Sequence, residues 1–160
     1  MPTPLSPDAA RFVEDLGLMM EQNGHPRIAG RIIGWLLLSD PPHQSFGDLV
    51  EVLGASKGSI SSMTRLLLEA GLIERFALPG ERQTYFRIAP GAPARILRRQ
   101  IRVVEEISRV VERGLAIAER EAPETDAWRL REMRDFYRIA TRRIPEFLAE
   151  YERDHPSAEG

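Results

Sequence analysis

Between positions 56 and 65 the chain reads Ser56-Lys57-Gly58-Ser59-Ile60-Ser61-Ser62-Met63-Thr64-Arg65. Its short hydroxyls and two cations suit contact with a polyanion. Serine side chains can bond to bases or phosphates, and Lys57 or Arg65 can pair with guanine or phosphate. A glycine inside a helix costs ~1 kcal/mol relative to alanine, so Gly58 favours close approach to something. Ser56, Lys57, Gly58, Ser59, Ser61, Ser62 and Arg65 are therefore the candidate contacts. The competing reading is a plain solvated helix face behind a serine N-cap.

Other chemistries find little support. There is no cysteine, hence no disulfide framework and no thiolate metal site. His25, His43 and His155 are scattered without ligand spacing, and His25 could do no more than cap a helix. Glu105-Glu106 lies among many arginines and reads as a solvated charged face. No nucleophile motif, phosphate loop or dinucleotide fingerprint appears. The expectation is a protein that is not an enzyme and needs neither cofactor nor metal. Phe12, Met19, Met20, Trp35 and Tyr137 form a candidate pocket for a small effector, since an aromatic cage suits a quaternary ammonium group. Ordinary core and interface packing is the alternative for the same five.

With 160 residues, 42% hydrophobic and 29% charged, the chain can build one core and carry an appended helical arm. The net charge of -2 does not advertise a nucleic-acid binder, but distribution matters more than the sum. Residues 25–90 carry seven Lys/Arg against six acids, the only local basic excess; residues 1–24 carry one against four. Met1-Pro2-Thr3-Pro4 lacks the layout of a signal peptide. The apolar run Ile32–Leu38 is too short to span a membrane, so a cytoplasmic protein without membrane contact is expected.

The elements that position the candidates follow from periodicity. Ser6-Pro7-Asp8 opens a helix, in which Phe12, Val13, Leu16, Met19 and Met20 recur at helical spacing until Gly24. Pro26 can start a second, with Gly30 and Gly34 on one face admitting a close neighbour, ended by Ser39-Asp40-Pro41-Pro42. Ser45-Phe46-Gly47-Asp48 resembles a capping box with Asp in place of Glu. Phe46, Leu49, Val50 and Leu53 carry that short helix to Gly54. Ser56 caps the next, whose buried stripe is Ile60, Met63, Leu67 and Ala70, closed by Gly71. Two short helices joined by a tight turn are the helix-turn-helix layout. In it the N-terminal residues of the second helix meet base edges in the major groove.

The period then changes. Residues 72–77 and 83–88 are strand-like, with Pro79-Gly80 as the turn between them. Arg82 at the hairpin tip suits a narrow minor groove, with Glu81 holding it; the alternative is a turn residue left in water. After Pro90-Gly91-Ala92-Pro93 a helix runs to about Glu121. Its heptad seam is Leu97, Ile101, Val104, Ser108, Val111, Leu115 and Ala118, and Ile96, Val103, Ile107, Val110 and Ile117 form a second stripe. Pro123 and Glu124 suit the start of a last helix with a seam of Met133, Tyr137, Ala140, Ile144 and Tyr151. Pro145 should kink or divide it.

The run Leu49–Ser61 resembles the helix-turn-helix of MarR-type regulators. The segment Gly24-His25-Pro26-Arg27-Ile28-Ala29-Gly30-Arg31, followed by Ser56-Lys57-Gly58, resembles the GbsR-like branch more closely. Leu68-Glu69-Ala70-Gly71-Leu72 and Pro79-Gly80-Glu81-Arg82 extend the match across residues 10 to 90, whereas the C-terminal helices agree in kind only. The resemblance implies a dimeric repressor or activator of transcription, sometimes responsive to a small ligand.

The expected fold is mainly α with a small β-hairpin wing: a winged helix-turn-helix with long N- and C-terminal dimerisation helices. Residues 1–24 form the N-terminal helix, 25–90 the DNA-binding domain, 91–153 the C-terminal dimerisation region and 154–160 a frayed tail. The expected function is a homodimeric, sequence-specific regulator whose partner is double-stranded DNA. The rival is a winged-helix protein-interaction or scaffold module without DNA binding.

Overall fold

Ser6 opens the first helix by accepting the Ala9 amide at 3.2 Å, and Pro7 takes the first turn, where its missing amide costs nothing. The computed structural model describes residues 5–124 and 126–155. The reading of Met1-Pro2-Thr3-Pro4 and the tail beyond His155 lie outside the described residues. The order is α1 (Pro7–Gln22), α2 (Arg27–Leu38), β1 (Gln44–Ser45), α3 (Phe46–Leu53), α4 (Lys57–Glu69), β2 (Ile73–Ala77), β3 (Thr84–Ile88), α5 (Ala92–Glu121) and α6 (Trp128–Asp154). Two compact units result, Met1–Ala92 and Pro93–Gly160, so α1 folds with the helix-turn-helix. Among the described residues no helix is long and apolar enough to cross a membrane.

In the first unit α1 and α2 meet through glycine. A Cβ on Gly30 would run into the Leu16 carbonyl and come within 2.8 Å of Met20 Cγ. One on Gly34 would stand 3.1 Å from the Val13 Cα. The two backbones are thus nearly in contact, and Val13, Ile32 and Trp35 are buried beside them. Leu49 and Leu53 of α3, Ile60 and Leu67 of α4, Ile73 of β2 and Phe86 of β3 complete one core. At roughly 1.5–3 kcal/mol for each large apolar side chain removed from water, this cluster is what holds α4 in place.

The wing has one strand more than the hairpin expected from sequence. The sheet order is β1-β3-β2, antiparallel throughout, with Gln44 opposite Phe86 and Ser45 opposite Tyr85. A strand of two residues has no period to read. Ser45 also serves α3: it accepts the Asp48 amide at 3.1 Å while Asp48 accepts the Ser45 amide at 2.9 Å. The capping box is complete, with aspartate in the place glutamate usually fills.

In the second unit α5 and α6 run antiparallel: Arg98 pairs with Glu152 near one end and Gly114 faces Leu130 near the other. Val111, Leu115 and Leu148 are buried. Pro123 and Glu124 form a turn, and α6 starts only at Trp128, behind an Asp126 paired with Arg131. Nor does Pro145 divide α6, which continues through it to Asp154; the ring forgoes one amide bond that the rest of a long helix can spare.

The glycine contact gives a direct test. Gly30→Ala should destabilise the protein by about 1–3 kcal/mol, as overpacking against unyielding backbone does. Gly34→Ala should cost less, because its nearest neighbours stand farther away. Urea unfolding at one fixed protein concentration orders the two variants, and equal stability of Gly30→Ala and the parent would show that the helices can part without penalty.

Candidate nucleic-acid interface

The turn that launches α4 is set by two residues. Gly54 ends α3 at φ 57°, a left-handed position that costs glycine nothing. Ser56 then caps α4: its Oγ accepts the Ser59 amide at 3.1 Å and donates to the Ser59 Oγ at 3.0 Å. Behind the cap, Ile60, Thr64 and Leu67 are buried and Met63 is half-buried. Thr64, absent from the expected stripe, is buried because its hydroxyl donates to the Ile60 carbonyl at 2.8 Å, so no polar atom is stranded.

The opposite side is open. Lys57, Gly58, Ser61, Ser62 and Arg65 are all exposed and, at 100° per residue, fall within one arc of about 140°. Ser56 and Ser59 sit at the helix start, their hydroxyls turned to each other. Neither the Lys57 nor the Arg65 side chain has an ion pair or hydrogen bond among the described residues. A Cβ on Gly58 would have as its nearest neighbour the Ser56 Oγ, 3.9 Å away. Nothing inside the protein therefore asks for glycine there.

The wing's charges divide into two groups. On one face Arg87 pairs with Glu74 at 2.6 Å and stacks 4.7 Å from the Phe76 ring centroid. His43 meets Phe76 and Tyr85 edge-on at 5.4 and 5.0 Å. Glu81 does not hold Arg82; it accepts the Tyr85 hydroxyl, and that bond is the main reason the phenol titrates above its ordinary value. Arg82 is left exposed in the loop between β2 and β3, without a partner among the described residues.

Sequence reasoning passed over Arg75. It shares the face of β2 that carries buried Ile73 and lies opposite Phe86. With Ser61, Arg65 and the apolar Phe46, Leu68 and Phe86 it lines a hollow of about 250 Å³ between α4 and the sheet. Arg75 too lacks an ion pair among the described residues. Its signal was available: an arginine two residues beyond a core isoleucine on a strand reaches toward whatever packs there.

The candidate pocket residues lie apart in character. Trp35 is buried, and its indole N–H donates to Gln44 Oε1 at 3.1 Å. Met20 packs against the same core, whereas Phe12 and Met19 are exposed on α1. Tyr137, in the second unit, packs edge-on against Phe136. Among the described residues no three His, Asp or Glu side chains cluster as metal ligands would.

Comparison with known proteins places this arrangement. A family model described as MmpR5-like MarR family transcriptional regulator matches residues 91–154. The HTH-type transcriptional regulator MmpR5 of Mycobacterium tuberculosis is 41% identical over 145 residues, which cover 91% of this chain and 87% of that protein. The crystal structure of a transcriptional regulator superposes with a TM-score of 0.73 at 39% identity, covering 92% of this chain and 99% of that one. Both relatives are described as regulators of transcription. By its likeness to them over nearly its whole length, this chain belongs to the MarR family of transcriptional regulators, with the DNA-binding winged helix that membership implies.

Proposed function

We propose that this regulator binds duplex DNA as a homodimer, with α4 in the major groove and the wing beside it. The observation that carries the reading is the arc of Lys57, Gly58, Ser61, Ser62 and Arg65, exposed at the start of α4 with both cations unpaired among the described residues. Lys57 and Arg65 pair with guanine or phosphate, and the serines accept or donate at base edges. Ser56 and Ser59 hold the helix end open to the groove. Arg82 enters the minor groove or meets its phosphates, and Arg75 adds a second cation beside Arg65. A cytoplasmic location goes with this role.

Dimerisation is supported by the surface of α5. Ile96, Val103, Val110 and Ile117 recur every seven residues and are 38%, 45%, 57% and 47% exposed. A row of large aliphatic side chains at heptad spacing is costly in water and fits a second helix. The partner proposed is a second copy of the chain, since an isologous contact gives two α4 helices for two half-sites. Kinship with the GbsR-like branch is part of the proposal, supported by Gly24–Arg31, whose glycine serves the close helix pair. Response to a small molecule has weaker support, in the exposed Phe12 and Met19; core packing accounts for Trp35 and Met20.

Three outcomes are expected. Lys57→Ala with Arg65→Ala should weaken duplex binding and lower the salt slope of log K by about 2 if both cations pair with phosphate. If one reads guanine instead, the slope should fall by about 1 and preference at one base pair relax by about 1–3 kcal/mol. Unaltered titrations on a selected site and on random duplex would remove α4 as the reader and favour a protein-interaction module. Gly58→Ala should raise stability by about 0.5–1 kcal/mol yet reduce affinity for the selected site; a gain in stability without that loss would leave the glycine unexplained. Sedimentation equilibrium at micromolar concentration should give twice the 18.1 kDa chain mass. Val103→Glu with Val110→Glu should shift it toward monomer, and a parent that already sediments as a monomer would refute the dimer.

A further inference from the structure

Arg31, on α2, reaches both α1 and the end of α3. Its Nη2 donates to the Leu53 carbonyl at 2.8 Å. Its Nε stands 2.6 Å from Glu14 Oε1 of α1, off the hydrogen-bond direction, so that contact acts as an ion pair. Glu14 is shared: its other oxygen takes Arg27 at 2.7 Å. The Arg31 stem reaches this position because α1 has no side chain at position 17. A Cβ on Gly17 would stand 2.8 Å from Arg31 Cγ and 3.1 Å from Arg27 Cγ.

The carbonyl that Arg31 holds is not an ordinary one. Leu53 is the last residue of α3, and its carbonyl is among those that find no amide within the helix. Gly54, Ala55 and Ser56 follow, and α4 begins at Lys57. The direction of the Leu53 peptide therefore fixes where the turn shaped by Gly54 and Ser56 starts, and with it the aim of α4. Most helix ends leave such carbonyls to water or to a local cap. Here a guanidinium anchored in a different helix pair holds it.

We propose that Arg31 is a positioning residue for DNA reading, fixing the aim of α4 by tying the end of α3 to α1 through Glu14. The inference rests on the proposal that α4 reads DNA. It explains why the segment Pro26-Arg27-Ile28-Ala29-Gly30-Arg31 couples a glycine for close approach with two arginines one helical turn apart. Glycine brings α1 near, Glu14 then reaches both arginines, and the second arginine extends across to Leu53. Arg31 itself has no part in touching the duplex. Its loss should therefore misaim α4 without removing a phosphate contact, which is the opposite signature to that of Lys57 or Arg65.

The test compares Arg31→Met and Glu14→Gln with the parent in salt titrations on a selected duplex and on random duplex, with melting followed in parallel. For Arg31→Met, affinity for the selected site should fall about ten-fold, the scale of one lost charge-assisted bond. The ratio of selected to random binding should shrink, and the salt slope should stay at the parent value. Glu14→Gln keeps the Leu53 bond and loosens only the anchor, so its loss should be smaller and of the same kind. A slope lowered by about 1 would make Arg31 a phosphate contact and overturn the proposal. So would unchanged selected-site affinity in a folded variant. Should Arg31→Met fail to fold, Glu14→Gln decides alone, by whether selectivity drops at constant slope. A parent that binds no duplex sinks the DNA reading itself, a different failure from either variant matching a parent that binds.

Discussion

Everything in the first unit is arranged around the near-contact of the α1 and α2 backbones. Two helices whose side chains interdigitate normally stand 8–10 Å apart; where glycine removes the side chains, they come closer. Gly17, Gly30 and Gly34 remove three such obstacles in one interface. The approach has two effects. It gives Val13 and Ile32 complete burial, and it brings Glu14 within reach of two arginines on the neighbouring helix. The surface pair Arg27–Glu14 is partly screened and adds little by itself. The deeper Arg31 is a quarter exposed and has a second partner, so it links three helices rather than two.

On that platform α4 is held from one side only. Its buried arc is small, three fully buried residues and two half-buried, and its exposed N-terminal half is hydroxyl, glycine and cation. Such a helix would be a poor one alone, because serine and glycine favour it weakly. It persists because Ser56 caps it and because Ile60 and Leu67 belong to the common core. The wing shows a similar economy. Its acidic residues are consumed within the sheet, Glu74 by Arg87 and Glu81 by Tyr85. What faces outward unpaired is therefore positive, although the chain as a whole is not.

Much of the fold was legible because caps announce themselves. Ser6, Ser45 with Asp48, Gly54 and Ser56 carry their function in their own residue type and spacing, and each lies where that chemistry puts it. The strands were legible to within one residue because aromatic and β-branched residues on either side of Pro79-Gly80 mark them. Features that depend on a partner distant in sequence were not. Two residues cannot display a period, so β1 was invisible until Phe86 and Tyr85 stood beside it. Trp35 read either as a pocket residue or as core, because nothing local indicates that Gln44 would take its N–H. Glu81 read as a partner for Arg82, its sequence neighbour, but the hairpin brings Tyr85 nearer. Of the candidate interface, the α4 residues could be listed from spacing alone; the spacing of Arg75 from Ile73 put both on one face of a strand, but only the sheet shows that this face meets α4.

Ser45 holds two positions at once, as strand residue and as helix cap, and this has a consequence for how the molecule opens. Its pairing to Tyr85 closes a loop that contains all of α3, α4 and β2, and the strand that makes this pairing is two residues long. Such a short pairing is expected to open before α1 separates from α2. When β1 leaves the sheet it takes with it the cap of α3 and, through Gln44, the partner of the Trp35 indole. The edge of the wing and the first turn of α3 thus form a single unit of local unfolding. Their amides should exchange with solvent together, while those of the glycine-packed helix pair remain protected.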